Sequence, residues 1–358
     1  MAEGELERVL GHAPGGYFVD SVHVPVAGAS AGVWRVRGDD WSLILKLVRH
    51  GAGGHPNWQS GEEEDHWYYW RREALAYESG VLASLSGQLR APHCRLIADR
   101  DDGSVALWLE DVAGRPGGSW PVHLYRRAAR HLGQAQGEFA AGRPLPPYRW
   151  LSRDWLRAYL LQRDGDRELV DDPAAWSKPA VATSLSPSLA EPLRAMRADQ
   201  DVFLGALDGL PRTVCHLDLH PANLFALGGE TVLVDWSFVG IGALGEDAGN
   251  LVSDAVLDFH VEPAHLDALF DAVLAGYVDG LSDAGWRGSP ELVRLGMTAT
   301  MAAKYAWIGP AILRAAKEEN EMLNRRPFDD TLQWWAPTVE YLLRQTSRAR
   351  DLLRRANG

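Results

Sequence analysis

Short runs of β-branched and aliphatic residues separated by turn residues fill the first third of the chain, whereas from Val122 onward apolar residues recur at three-to-four spacing. The first pattern predicts strands at Val22–Val26, Gly32–Val36 and Ser42–Val48, with Gly38-Asp39-Asp40 supplying the turn between the last two. One helix is predicted over Glu62–Leu85, where Leu75, Ser79, Leu82 and Leu85 follow helical spacing. A further strand pair, Arg95–Ala98 and Val105–Leu109, flanks the polar turn Arg100-Asp101-Asp102-Gly103. The chain breakers of Ala113–Gly118 then mark a boundary, placed after residue 112. Beyond it, helices are predicted over Asp201–Leu207, Leu266–Tyr277, Glu291–Ile308 and Thr338–Leu353. A β island interrupts them at Thr213–Cys215, Leu224–Ala226 and Thr231–Val234, punctuated by Gly228-Gly229. The expected fold is therefore α+β and bilobal: a small antiparallel sheet lobe, 1–112, and a larger, mainly helical lobe, 113–358.

Composition narrows this picture a little. A chain of 358 residues with 46% hydrophobic content can supply two cores. No uninterrupted apolar run approaches the roughly 20 residues a membrane helix needs. The acidic N-terminus lacks the features of a secretory signal, so a cytoplasmic location is expected. Cys94 and Cys215 read as reduced core thiols. The net charge of -12 disfavours contact with nucleic acid phosphates.

Candidate chemistry concentrates in His216-Leu217-Asp218-Leu219-His220-Pro221-Ala222-Asn223 and in the apolar strand ending at Asp235. An aspartate five residues before an asparagine, followed by a second aspartate after a strand, is the spacing of a kinase catalytic loop and its metal ligand. Asp218 can orient an acceptor hydroxyl and take its proton, while Asn223 and Asp235 offer the hard oxygen ligands that magnesium prefers. His216 is read as bracing the loop. Lys46 lies inside the apolar run Leu43–Val48, where an unpaired ammonium would be costly, so it needs an anionic partner. Glu73 and ATP phosphates are the candidates, with Glu78 as the competing helix carboxylate. Gly28, Ser30 and Gly32 form a small-residue stretch whose backbone can approach phosphates, and Glu110 and Val112 fall where a linker strand meets adenine.

With these residues in place, the chain resembles the aminoglycoside phosphotransferase family, which is itself similar to choline kinases and distantly to protein kinases. The resemblance rests on His216–Phe225, on Val234-Asp235-Trp236, and on Gly245-Glu246-Asp247-Ala248. It implies a protein-kinase-like fold with ATP and magnesium between the lobes, so that the small lobe binds nucleotide and the large lobe carries catalysis and acceptor binding. It also implies transfer to a hydroxyl of a small molecule such as an aminoglycoside or other antibiotic, an amino sugar or a related metabolite. Asp247 is expected to be structural, capping amides near a helix start. Two departures stand out: Leu217 replaces a usual glycine or asparagine, and Trp236-Ser237 replaces the Phe-Gly of protein kinases. The acceptor candidates are aromatic or acidic: Asp154, Trp155, Trp307, Glu318, Glu319, Glu321, Trp334 and Trp335. A nucleotide-binding pseudokinase is the alternative. A protein kinase is disfavoured because no Ala-Pro-Glu segment follows Asp235.

Overall fold

The computed structural model describes residues 3–23, 28–52, 58–163, 165 and 167–357. The small lobe is a five-stranded antiparallel sheet built from β1 (Phe18–His23), β2 (Ser30–Arg37), β3 (Ser42–Val48), β5 (Cys94–Asp99) and β6 (Val105–Glu110), in the order β1-β2-β3-β6-β5. The two-residue strand β4 (Leu89–Arg90) belongs to another sheet. The predicted first strand begins earlier, at Phe18, and residues 24–26 of that expectation lie outside the described residues.

Period-two alternation decides the faces of this sheet. In β3, Leu43, Leu45 and Leu47 pack with Val36, Ala106 and Trp108 against helix α1 (Glu3–Leu10), whose Leu6 is buried. Glu5 of α1 accepts hydrogen bonds from Arg100 at 2.8 and 2.6 Å and from the Trp108 indole at 2.9 Å. Ile44, Lys46 and Val48 therefore face the opposite side, toward helix α2 (Arg72–Glu78).

This helix is much shorter than the predicted Glu62–Leu85. Arg72 donates to the carbonyls of His66 at 2.7 Å and Trp67 at 2.9 Å, which folds the preceding segment back as turns. Gly80, at φ +76°, ends helical continuation before a single 3-10 turn at Leu82–Ser84.

The large lobe contains α3 (Val122–Ala140), α4 (Trp155–Leu161), α5 (Pro173–Trp176), α6 (Pro179–Ser184), α7 (Ala190–Ala198) and α8 (Gln200–Asp208). After the β island follow α9 (Glu246–Leu257), α10 (Leu266–Asp283), α11 (Pro290–Lys304), α12 (Ile308–Lys317) and α13 (Phe328–Asn357). The predicted helix Glu291–Ile308 breaks at Tyr305–Trp307 into α11 and α12, because Pro310 has no N–H to offer the carbonyl of Ala306. Within the island, β7 (Arg115–Pro116), β9 (Leu224–Leu227) and β10 (Glu230–Leu233) join β4 in the order β4-β10-β9-β7, while β8 (Arg212–Cys215) pairs with β11 (Gly240–Ala243). Among the described residues no helix is long and apolar enough to cross a membrane. Cys215 is buried and Cys94 half-buried, and neither forms a disulfide.

Close packing of α3 on α10 fixes the geometry behind the island. A Cβ on Gly280 would lie 1.9 Å from the carbonyl oxygen of Arg130, and one on Gly133 would lie 2.3 Å from that of Tyr277. Alanine in a helix interior ordinarily outperforms glycine by about 1 kcal/mol. Here the backbone contact reverses the sign: Gly280→Ala is expected to destabilise the protein by about 1–3 kcal/mol, the range for forced overpacking. Urea unfolding of the two proteins measures it.

Candidate active site

The β9–β10 hairpin places two distant residues side by side. Its register pairs Leu224 with Leu233, and the Val234 N–H donates to the Asn223 carbonyl at 2.9 Å. Asn223 thus sits against the segment that carries Asp235. The β8–β11 ladder, which pairs Cys215 with Gly240, sets the start of the 216–223 loop beside the chain leaving Asp235.

Asp247 holds that loop by its backbone. Its fully buried carboxylate accepts from the N–H groups of His216 and Leu217, each at 2.8 Å, and from Gln136 Nε2 at 2.8 Å. Asp247 was expected to cap amides near a helix start; it occupies the first turn of α9, but the amides it accepts from belong to the loop. Gln136 is held in turn by the Tyr277 hydroxyl at 2.5 Å, across the tight α3–α10 contact.

His216 braces the same loop. Its Nε2 donates to the Val234 carbonyl at 3.0 Å and its Nδ1 accepts from the Asp218 N–H at 3.3 Å. Burial lowers its pKa, which suits a neutral ring with one donor and one acceptor. The ring stands edge-on to Trp236 at 4.8 Å. Leu217 adopts φ +66° and Asp235 φ +62°. This left-handed region favours glycine or asparagine, and a larger side chain there costs about 1–2 kcal/mol. Leu217 offsets the strain through its bond to Asp247 and a side chain only 1% exposed.

Lys46 is buried between two carboxylates, with Nζ 2.5 Å from Glu73 Oε2 and 2.8 Å from Asp235 Oδ1. Burial by itself would lower the lysine pKa, but Asp235 and Glu73 together raise it above its ordinary value. Burial likewise opposes ionisation of Asp235, yet the Lys46 ammonium holds this carboxyl well below the usual range. The Asp235 side chain remains 43% exposed on its other side. Glu73 also accepts from the Trp236 N–H at 3.3 Å, and Ser237 Oγ donates to Asp235 at 2.8 Å. Glu78, the competing carboxylate, instead lies 3.7 Å from Arg71.

Arg72, beside Glu73, is fully buried without a carboxylate partner among the described residues. Four carbonyls receive its guanidinium: His66 and Trp67 of its own lobe, Trp150 at 2.7 Å and Ser237 at 3.4 Å of the other. Burial pulls its pKa down to about 9.

The remaining predicted positions divide into those that reach the cleft and those that do not. Gly28 is fixed by its N–H bond to the Trp58 carbonyl at 2.9 Å, and β2 bulges between Ser30 and Gly32. The Ser30 hydroxyl is buried without a hydrogen-bond partner. The Glu110 carboxylate is committed to Arg90 at 2.7 and 2.9 Å and to the His93 N–H at 3.0 Å, leaving only main chain around Val112 for a ligand. Asn223 Nδ2 donates to the Asp218 carbonyl at 3.1 Å, which frees its amide oxygen for other partners.

A cavity of about 200 Å³ opens beside Asp218, walled by Trp58, Trp155, Tyr159, Trp307 and Trp335. Trp155, Trp307 and Trp335 were expected there; the other acceptor candidates are not. The Trp334 indole caps the Val256 carbonyl at 2.6 Å, Glu319 pairs with Lys178 at 2.8 Å, and Glu318 accepts from Asn320. Asp154 and Glu321 are exposed and do not line the cavity. Sequence reasoning missed Trp58, Arg163, Asp254 and Lys304. Lys304 carried a signal like that of Lys46, a single cation in a stretch of mostly apolar and small residues, Gly296–Ala306. Trp58 carried none, standing in a polar, glycine-rich stretch. A larger cavity of about 590 Å³ between α4, α7 and α8 contains none of the loop residues.

Solved kinases share this two-lobed arrangement. An amicoumacin kinase in complex with AMP-PNP, Ca2+ and Ami is 13% identical with a TM-score of 0.53, the match covering 93% of this chain and 88% of that one. A spectinomycin phosphotransferase in complex with ADP and spectinomycin is 10% identical with a TM-score of 0.52, over 91% and 93% of the two chains. A choline/ethanolamine kinase family protein from Mesorhizobium loti is 15% identical with a TM-score of 0.51, over 97% and 98%. At such identities the likeness establishes the fold, a bilobal kinase-like one. Residues 22–290 match the model of the phosphotransferase enzyme family, and the chain belongs to that family. A search of curated proteins finds no match.

Glu246, next to Asp247, accepts from the Ala243 N–H at 2.9 Å, and burial pushes its pKa up to about 7 from 4.5. The folded protein therefore holds a proton that the unfolded chain releases, so this group's stability contribution is complete below pH 4.5 and lost as pH rises toward 7. Glu246→Gln should remove that component. Thermal melts across this window are expected to show the variant gaining on the wild type as pH rises, with the difference levelling off above about pH 7.

Proposed function

We propose that this chain is an ATP- and magnesium-dependent kinase that phosphorylates a hydroxyl of a small molecule held in the cavity beside Asp218. The observation that carries the reading is convergence: Lys46 lies far in sequence from Asp218, Asn223 and Asp235, yet two buried contacts and one hairpin bring the four together. In this reading residues 1–112 bind nucleotide, residues 113–358 carry the acceptor, and the protein works in the cytoplasm.

The residues present fit a magnesium nucleotide. Asp235 keeps an exposed carboxylate face and Asn223 a free amide oxygen, two hard ligands of the kind magnesium takes together with phosphate oxygens and water. The buried, unpartnered Ser30 hydroxyl suits a phosphate oxygen, with Gly28 and Gly32 allowing close backbone approach. Lys46, held by Glu73, adds fixed positive charge. Backbone groups from Glu110 to Val112 remain for adenine. Magnesium, when bound, neutralises charge on the phosphates.

Asp218 orients the acceptor hydroxyl and receives its proton as the acceptor oxygen bonds to the γ-phosphorus and the bond to the bridging oxygen of ADP breaks. His216 and Asp247 position the loop without touching the reacting atoms. Against the alternative of a nucleotide-binding pseudokinase stand the residue types themselves, which offer the base, metal ligands and lysine that phosphoryl transfer needs. The acceptor reading covers antibiotics, amino sugars and related metabolites, with drug resistance as one biological role.

Asp218→Asn keeps the loop's shape and removes the proton acceptor. It should cut turnover by about 100- to 10,000-fold while leaving nucleotide affinity within a few-fold. ADP release measured alongside nucleotide binding tests this, and a variant of near-normal turnover would exclude Asp218 as the base. For the metal, Asp235→Asn should weaken magnesium-dependent nucleotide binding more than Asn223→Ala does, since one loses a full charge and the other a dipole. Asparagine is chosen at 235 because it preserves an acceptor for Lys46. Magnesium titrations rank the two, and equal, wild-type-like responses would remove the proposed site.

A further inference from the structure

The cavity beside Asp218 looks at first like a cage for a cationic acceptor, since aromatic faces attract ammonium groups. Most of those faces are already taken, and among the described Trp and Tyr residues of the walls only Trp335 carries no cation over its ring. The Lys304 ammonium lies 5.3 Å from the ring centroid of Trp155, 5.7 Å from that of Tyr159 and 5.1 Å from that of Tyr305. The Arg163 guanidinium lies 4.7 Å from the Trp307 centroid and 5.6 Å from those of Trp58 and Tyr159. From these contacts we infer that the acceptor is uncharged where it enters the cavity, a sugar ring or polyol segment rather than an ammonium alcohol. The inference rests on the kinase reading above and names the substrate class of the same site.

Lys304 is not a mobile occupant. It is only 4% exposed and its Nζ lies 3.2 Å from Asp254 Oδ2, so displacing it would strand two largely buried charges. An incoming ammonium therefore meets like charge on most of the faces that would otherwise hold it. The carboxylates are largely committed: Asp254 is paired with Lys304, Asp218 is turned to the acceptor hydroxyl in the proposed reaction, and burial together with the neighbouring Asp254 pushes the pKa of Asp258 up to about 6.

Two donors in the walls lack acceptors of their own. The indole N–H groups of Trp155 and Trp307 are buried and have no partner, and each can only donate. A ligand oxygen brought within reach would satisfy them, and an ammonium would not. The cavity's size, about 200 Å³, suits a single ring or one ring of a larger molecule.

Matched probes separate charge from shape. Choline is compared with its carbon isostere 3,3-dimethyl-1-butanol, and glucosamine with glucose, by ADP release with magnesium ATP and by quenching of tryptophan fluorescence. The wild type is expected to favour the uncharged member of each pair by about tenfold or more. Lys304→Met combined with Asp254→Asn removes both charges together and should narrow or reverse the preference. Should that variant not fold, Arg163→Gln, which removes the half-buried cation over Trp307, should narrow it in the same direction. A wild-type preference for choline or glucosamine overturns the inference while leaving the kinase intact, as does failure of every probe to bind while another acceptor is phosphorylated. Absence of phosphate transfer to any acceptor, with Asp218→Asn indistinguishable from wild type, instead removes the kinase reading and this inference with it.

Discussion

One buried ammonium joins the two lobes. Lys46 stands on a strand of the small sheet, Glu73 on the helix packed against it, and Asp235 on the far side of the cleft. A charge in such a position is tolerable only while both carboxylates are present, because an unpaired buried ion loses its hydration without compensation. The register of β3, the placement of α2 and the exit from β10 must therefore agree to within hydrogen-bond distance. Arg72 reinforces the agreement: the residue next to Glu73 gives its guanidinium to carbonyls from both lobes. Helix α2 is held by charge on one side of the cleft and by charge–dipole bonds across it, so its short length is enough.

A second line of support runs behind the loop. Glycines let α3 and α10 approach to backbone contact, Tyr277 and Gln136 meet across that contact, Gln136 reaches Asp247, and Asp247 fixes the amides that precede Asp218. Each link is a buried polar group whose partner is fully specified, the condition under which such networks rigidify a structure. Strain at Leu217 is sustained at the end of this chain.

The parts of this arrangement that follow from local chemistry were legible in the sequence. The apolar run Leu43–Val48 marked Lys46 as a cation in need of an anionic partner, and the hairpin around Gly228-Gly229 brought Asn223 to Asp235. Asp247 was legible as a capping residue, though the amides it serves are distant in sequence and no helix-start rule could identify them. The acceptor candidates fared worst. Trp334 and Glu319 are chemically as suited to a sugar or cation as Trp155, but tertiary packing gave them carbonyls and lysines as partners instead. The overlong helix at Glu62–Leu85 failed for a related reason. Its aromatic residues Trp67, Tyr68 and Trp70 are compatible with a helix, and only the cleft that receives them, with Phe238 4.6 Å from Tyr68, shows why the segment folds otherwise.

That segment also brings Trp58 into the wall of the cavity beside Asp218, opposite residues contributed entirely by the large lobe. The cavity is thus bounded by two bodies joined through the 110–112 connection. Any separation of the lobes removes one wall and opens a side exit, whereas closure encloses the occupant and excludes water. In the proposed reaction, product escape would then be tied to the breathing of the molecule, and an interlobe contact beside the Trp58 wall, such as Trp67 stacked on Phe238 at 5.8 Å, would set residence time.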